Sequence, residues 1–193
     1  MIRLLAVLAT VTGCASSLGL HVRDQYKRTV RIFVDCPEGV GVGSGVVVRD
    51  NTVATASHVI TCEQGPPEAI VIEGYSAIVT RDVPSEDLAL LRVDGFQAPP
   101  IVLGPRPTVG DRVCQTHAHP RSGRSCGEVI PAQPGVAVKG TLFHTAVTDT
   151  GNSGGPVWDA AGRLVGITTH WIACNNSQIC GGRATPIRAE VLQ

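Results

Sequence analysis

From Val30 onward the chain is a succession of short apolar and β-branched runs, each ended within a few residues by Gly, Pro, Asp or Asn. This punctuation limits the fold more than any other feature. The runs are Val30–Val34, Gly43–Val48, Thr52–Ala56, Ile70–Ile72, Ala77–Thr80, Leu88–Val93, Asp111–Thr116, Val136–Leu142, Pro156–Trp158 and Arg163–Thr169. Val, Ile and Thr pack well on a pleated surface and lose rotamer freedom in a helix. Turn signals separate the runs at Asp50-Asn51, Glu73-Gly74, Asp94-Gly95 and Ala161-Gly162. No helical stretch alternates with them, which excludes βαβ units and predicts an all-β barrel or sandwich. A short C-terminal helix is expected over Pro186–Leu192, with proline in its first turn. The Pro99-Pro100 to Pro107 stretch reads as a seam between two halves.

Composition agrees with that reading. Hydrophobic residues make up 43% of the 193 and charged residues 17%, enough for a packed core and too apolar for disorder. Aromatics are only 4%, so the core is built from Val, Leu, Ile and Ala. Lysines and arginines balance aspartates and glutamates, where a nucleic-acid partner would call for a basic excess.

The first residues read as an export signal. Arg3 supplies a positive start, Leu4 to Thr12 form an uncharged and largely apolar run, and small residues follow at Gly13, Cys14, Ala15 and Ser16. The run falls short of the roughly 20 residues that span a bilayer. Val11-Thr12-Gly13-Cys14 resembles a bacterial lipobox, whose cysteine becomes the lipidated first residue. The expected organisation is a signal peptide over 1–13, a polar tether over 14–29 and a folded domain over 30–193. Membrane contact is expected only through Cys14, in the bacterial envelope; plain secretion is the alternative.

With Cys14 assigned to the anchor, six of the seven cysteines remain: Cys36, Cys62, Cys114, Cys126, Cys174 and Cys180. An even set in an exported chain suggests disulfides. Local spacing favours Cys114–Cys126 and Cys174–Cys180, which leaves Cys36 with Cys62. No close pair of the C-x-x-C type is present, so no metal is expected. His117 and His119 beside Cys114 read as a solvated loop pair.

Three strings carry chemistry: Gly43-Ser44-Gly45 leading through Thr52 to Ala56-Ser57-His58; Glu86-Asp87-Leu88-Ala89-Leu90-Leu91; and Gly151-Asn152-Ser153-Gly154-Gly155-Pro156. Together, and in the order histidine, aspartate, serine, they resemble the trypsin-like serine proteases, especially the bacterial branch that includes the HtrA proteases. The resemblance runs from about Val30 to the end. It implies two six-stranded antiparallel β-barrels, about 30–98 and 108–193, with the active site in the cleft between them. It also implies the triad His58, Asp87 and Ser153, and an oxyanion hole from the Gly151 and Ser153 amides. A serine hydroxyl is a weak nucleophile near pH 7 and needs an adjacent base, which an imidazole can supply. Asp82 competes with Asp87, but only Asp87 directly precedes an apolar run.

Gly151-Asn152-Ser153-Gly154-Gly155 also fits the nucleophile elbow of α/β-hydrolases. That fold needs a helix after the serine and an acid and histidine well downstream. Pro156 and the following β-type run oppose the helix.

Asn152 stands where zymogen-type relatives carry an aspartate that pairs with a freshly cut N-terminus, so activation by cleavage is not expected. Val147 falls at the family's pocket base and cannot select Lys or Arg, which points to a small or medium apolar residue before the scissile bond (P1). Thr148, Thr168, Thr169 and His170 complete the expected substrate-binding set. His170 leaves a preference for acidic residues open. The chain ends soon after the second barrel, so no PDZ-type domain is expected. The reading is therefore a serine endopeptidase acting on polypeptides, without cofactor and by default monomeric; the alternative is an inactive pseudoprotease that binds without turnover.

Overall fold

The computed structural model describes residues 22–118, 123–132, 140–173 and 179–192. The expected signal segment, Cys14 and Cys174 lie outside them. Within the stretch expected as a tether, residues 22–28 form a short helix, α1. Arg28 holds it down: its guanidinium donates to the Val47 and Pro99 carbonyls and to Asp24 one turn back. Among the described residues no helix is long and apolar enough to cross a membrane.

Strand β1 (Thr29–Cys36) shows how alternation builds the first half. Val30, Ile32 and Val34 are buried while Arg31, Phe33 and Asp35 turn outward, as a two-residue side-chain period requires. It pairs antiparallel with β2 (Gly39–Arg49) on one side and β4 (Ala69–Ile72) on the other. β3 (Thr52–Thr55), β5 (Tyr75–Ser76), β6 (Ile78–Val83) and β7 (Leu88–Arg92) complete a seven-stranded sheet in the order β5-β4-β1-β2-β3-β7-β6. The β4–β5 hairpin turns at Glu73-Gly74, both with positive φ (49° and 89°), the geometry whose twist matches paired strands. This sheet curls around Val30, Ile32, Val53, Ile72 and Leu91, but its ends do not pair. It is a half-barrel where a closed six-stranded barrel was expected; β5, at one end, offers only two residues for a ladder.

The second half closes. β8 (Arg112–His117), β9 (Gly123–Ile130), β10 (Leu142–His144), β11 (Pro156–Asp159), β12 (Leu164–Ala173) and β13 (Ile179–Pro186) form a barrel in the order β10-β13-β12-β11-β8-β9. Its interior is divided. Val113, Val129, Leu142, Val157, Val165 and Ala184 fill an apolar part. Gln115, His144, Thr148 and Thr168 are also buried, and three of these four are joined by hydrogen bonds. Where a C-terminal helix was expected there is one 3-10 turn, Ala189–Val191, because Arg188 before it is still extended (φ −126°, ψ 153°).

A shared core joins the halves: Val46, Val48, Leu88 and Leu90 of the first pack with Trp158, Leu164, Ile167 and Ile187 of the second. Thr116 ties the seam with two buried bonds, to Thr29 Oγ1 at 2.6 Å and from Trp158 Nε1 at 3.0 Å. Disulfides join Cys36 to Cys62, and Cys114 to Cys126 directly opposite it on β8 and β9. Cys180 is disulfide-bonded as well.

Candidate active site

His58 lies in a single 3-10 turn, Ser57–Ile60, just past β3. Its neighbours Ala56 and Ser57 are buried, which anchors the turn and leaves the imidazole at the surface of a cleft. Asp87 closes the 3-10 turn Pro84–Glu86 in a left-handed conformation (φ 49°), which aspartate tolerates better than bulky residues. The buried run Leu88–Leu91 that follows holds it in place.

Asp87 grips His58 at two points. Its Oδ1 accepts from the His58 backbone amide at 3.0 Å, and both oxygens lie 2.9–3.0 Å from Nδ1. Partial burial pushes the Asp87 carboxyl up. The hydrogen bonds from the His58 ring and amide, with the charges of His58 and His170, outweigh this and leave its pKa below the usual carboxylate range. The imidazole is thereby held with Nδ1 toward the carboxylate and Nε2 free to face the cleft.

Ser153 sits in the loop before β11, between Gly151 (φ 87°) and Gly154 (φ 81°). Gly154 is obligatory: a side chain there would run into the Ser44 carbonyl and Thr55 Oγ1. Ser44 secures the loop from the other half. Its amide donates to the Ser153 carbonyl at 2.8 Å and its hydroxyl to the Gly151 carbonyl at 2.7 Å. The Asn152 carbonyl accepts from Gly155 N, so the Ser153 N–H of the same trans peptide points the opposite way. Among the described residues neither the Gly151 nor the Ser153 amide has an acceptor. The Ser153 hydroxyl donates to the Thr169 carbonyl at 3.4 Å rather than to His58. His58, Gly151, Ser153, Thr148, Val42 and Trp171 line one cleft of about 300 Å³.

The expected pocket residues separate into two groups. Val147 is 57% exposed, and its carbonyl takes a hydrogen bond from Gln115. Thr148, Thr168 and Thr169 are buried, and the hydroxyls of the first two meet on the Gln115 side chain. A β-bulge at Thr169 shifts the register so that His170 pairs with Arg183 and reaches back to the aspartate. His170 Nδ1 is 3.9 Å from Asp87 Oδ2, and its ring centroid is 5.4 Å from that of His58. Burial, with the nearby charges of Arg183 and His58, lowers the His170 pKa despite Asp87.

Residues 43–167 match the family model of the trypsin-like peptidase domain. The chain belongs to the trypsin-like peptidase family.

Several solved structures share the fold of this trypsin-like peptidase. An HtrA-type protease, AlgW, solved with a tripeptide, aligns with a TM-score of 0.73 at 22% identity, over 90% of this chain and 60% of that one. The active form of a protease from M. tuberculosis gives 0.73 at 18%, covering 96% and 89%. A serine endoprotease from Yersinia pestis gives 0.72 at 24%, covering 90% and 64%. This peptidase thus spans about 60% of the AlgW chain. No curated protein matches it.

Ser44 and Gln115 brace the site without being expected from the sequence. Ser44 lies inside the Gly43-Ser44-Gly45 string, but its bonds to the Ser153 loop are made across the seam. Gln115 carries no local signature at all.

Proposed function

We propose that this protein is a serine endopeptidase in which Ser153 attacks the scissile carbonyl. His58 takes the serine proton and returns it to the leaving amine, and Asp87 fixes the imidazole tautomer and stabilises its charged form. The observation that carries this reading is the two-point hold of Asp87 on His58 beside Ser153 in one cleft. For the attack, the Ser153 hydroxyl turns from the Thr169 carbonyl to His58 Nε2, a change of one side-chain torsion. The unengaged Gly151 and Ser153 amides form the oxyanion hole, where one donor contributes about 3 kcal/mol to the transition state.

The substrate is a polypeptide. Its P1 residue is small or medium and apolar, and neither Lys nor Arg, because Val147 stands where a carboxylate would be needed. We also propose export with a lipid on Cys14. Mass spectrometry of the mature N-terminus tests that directly, and an intact Met1 refutes it.

The decisive experiment is labelling with a serine-directed fluorophosphonate. Wild type is expected to take one label and Ser153→Ala none. Equal labelling of both leaves the pseudoprotease reading instead.

A further inference from the structure

The residues lining the cleft of Ser153 include one carboxylate, Asp149, which the reaction does not use. It stands two residues before Gly151, at the mouth of the loop that presents the nucleophile. Its Oδ1 accepts from the Thr150 amide at 2.7 Å. Among the described residues no cation pairs with it, and no Lys or Arg lines the cleft. Asp149 is exposed, so a substrate group can reach it without displacing any part of the protein.

The first half of the molecule supplies apolar lining to the same cleft: Cys36 at the end of β1, Val42 on β2 and Val59 in the His58 turn, all only partly buried. Apolar walls with one unpaired carboxylate suit a side chain with an apolar stem and a cationic head. An acidic side chain would meet Asp149 with like charge, and a neutral one gains from the walls alone. The position of this lining relative to the scissile bond follows from the chemistry. His58 returns its proton to the leaving amine, so the peptide after the bond departs past the His58 turn, where Val59 and the Cys36–Cys62 disulfide lie. The peptide before the bond has another track: β12 pairs with β11 only as far as Ile167, and beyond Thr168 its edge is open to strand addition.

We infer that Asp149 selects substrates carrying Lys or Arg at one of the two positions after the scissile bond (P1′ or P2′), with the stem against Val42 and Val59 and the head on the carboxylate. This rests on the protease reading above and leaves its P1 preference as it stands, because the two side chains lie on opposite sides of the bond. Asp149 acts on substrate choice and takes no part in the proton transfers at Ser153. An exposed ion pair changes an equilibrium by no more than about fivefold, so the charge is measured against uncharged side chains of similar length.

The test uses the full chain. Active sites are first counted with the fluorophosphonate, and kcat/KM is then compared over peptides that differ only at P1′ and P2′, carrying Lys, Arg, Met, Gln or Glu there. Wild type is expected to favour Lys and Arg over Met and Gln by about two- to fivefold at one of the two positions, and to disfavour Glu. The difference is expected to shrink as salt is raised to about 1 M, where the Debye length is about 3 Å. Asp149→Asn is expected to abolish the preference, and Asp149→Lys to turn it toward Glu. A labelled wild type that is indifferent to charge at both positions, prefers Glu there, or favours Lys and Arg at P1 only overturns the inference even if no variant folds. So does an Asp149→Asn profile identical to wild type. A wild type that takes no label overturns the protease reading itself, and this inference with it.

Discussion

Asp87 is placed by its own strained backbone and by two bonds to one histidine, so its removal separates geometry from electrostatics. Asp87→Asn keeps the shape but can hold the wrong imidazole tautomer, and kcat is expected to fall about 10⁴-fold with little change in KM. Steady-state kinetics on a peptide substrate checks this. The same carboxylate has its folded pKa depressed, so its ionised form stabilises the fold above the unfolded pKa, and that stability is lost as pH falls through the folded value. His144 acts at a different pH. Its folded pKa of about 4 lies below the ordinary 6.5, so in that window the unfolded chain binds a proton that the folded chain refuses. Stability is unaffected above pH 6.5 and falls as pH drops from there toward 4, by about 3 kcal/mol in all. Urea unfolding of wild type and His144→Phe at pH 7 and pH 4.5 should show the variant losing less between the two. At this scale His58, Asp87 and Ser153 are legible because each lies in a short string with its own chemistry. Gln115 and His144 are not, since a buried glutamine or histidine acquires meaning only from what faces it.

Element by element, the strands with Val, Ile and Leu were visible in the sequence: β1, β2, β3, β4, β7 and β8 lie where the apolar runs predict them. β9 and β13 were not. β9 reads Gly-Arg-Ser-Cys-Gly-Glu before its two apolar residues, and β13 carries Gly181-Gly182, residues that local propensity counts as breakers. The glycines of β13 are there for close approach. A side chain on Gly181 would strike the His144 backbone, and one on Gly182 would strike Thr148. The loop that presents Ser153 obeys the same logic through Ser44. Ser44→Ala frees the Gly151 carbonyl and the Ala118 amide, and is expected to lower kcat while the labelled serine remains accessible. Gly154→Ala forces a positive φ on a residue with a side chain and drives it into β2 backbone. It is expected to cost more than about 1 kcal/mol of stability and to abolish fluorophosphonate labelling. Thermal unfolding and labelling read the two effects separately.

On the scale of the whole molecule, the half-barrel and the barrel are one unit because Trp158, Leu164 and Ile167 pack with Val46, Val48 and Leu88 in a common core. A single unfolding transition by fluorescence and circular dichroism is expected, and two separated transitions would contradict it. Cys36–Cys62 pins the segment carrying the His58 turn to β1. Replacing both cysteines by alanine is expected to cost about 2–4 kcal/mol, measured as a lowered urea midpoint. The sequence by itself determined the β class, the strands of high propensity, the family and the strings that bear His58, Asp87 and Ser153, because all of these are written in residues close together along the chain. Tertiary structure decided the rest: that only the second barrel closes, that residues 22–28 coil into a helix docked by Arg28, and that Val147 faces outward while His144 turns inward. Those outcomes depend on pairing and packing between segments far apart in the chain, where the energy lies in surfaces that no single stretch possesses.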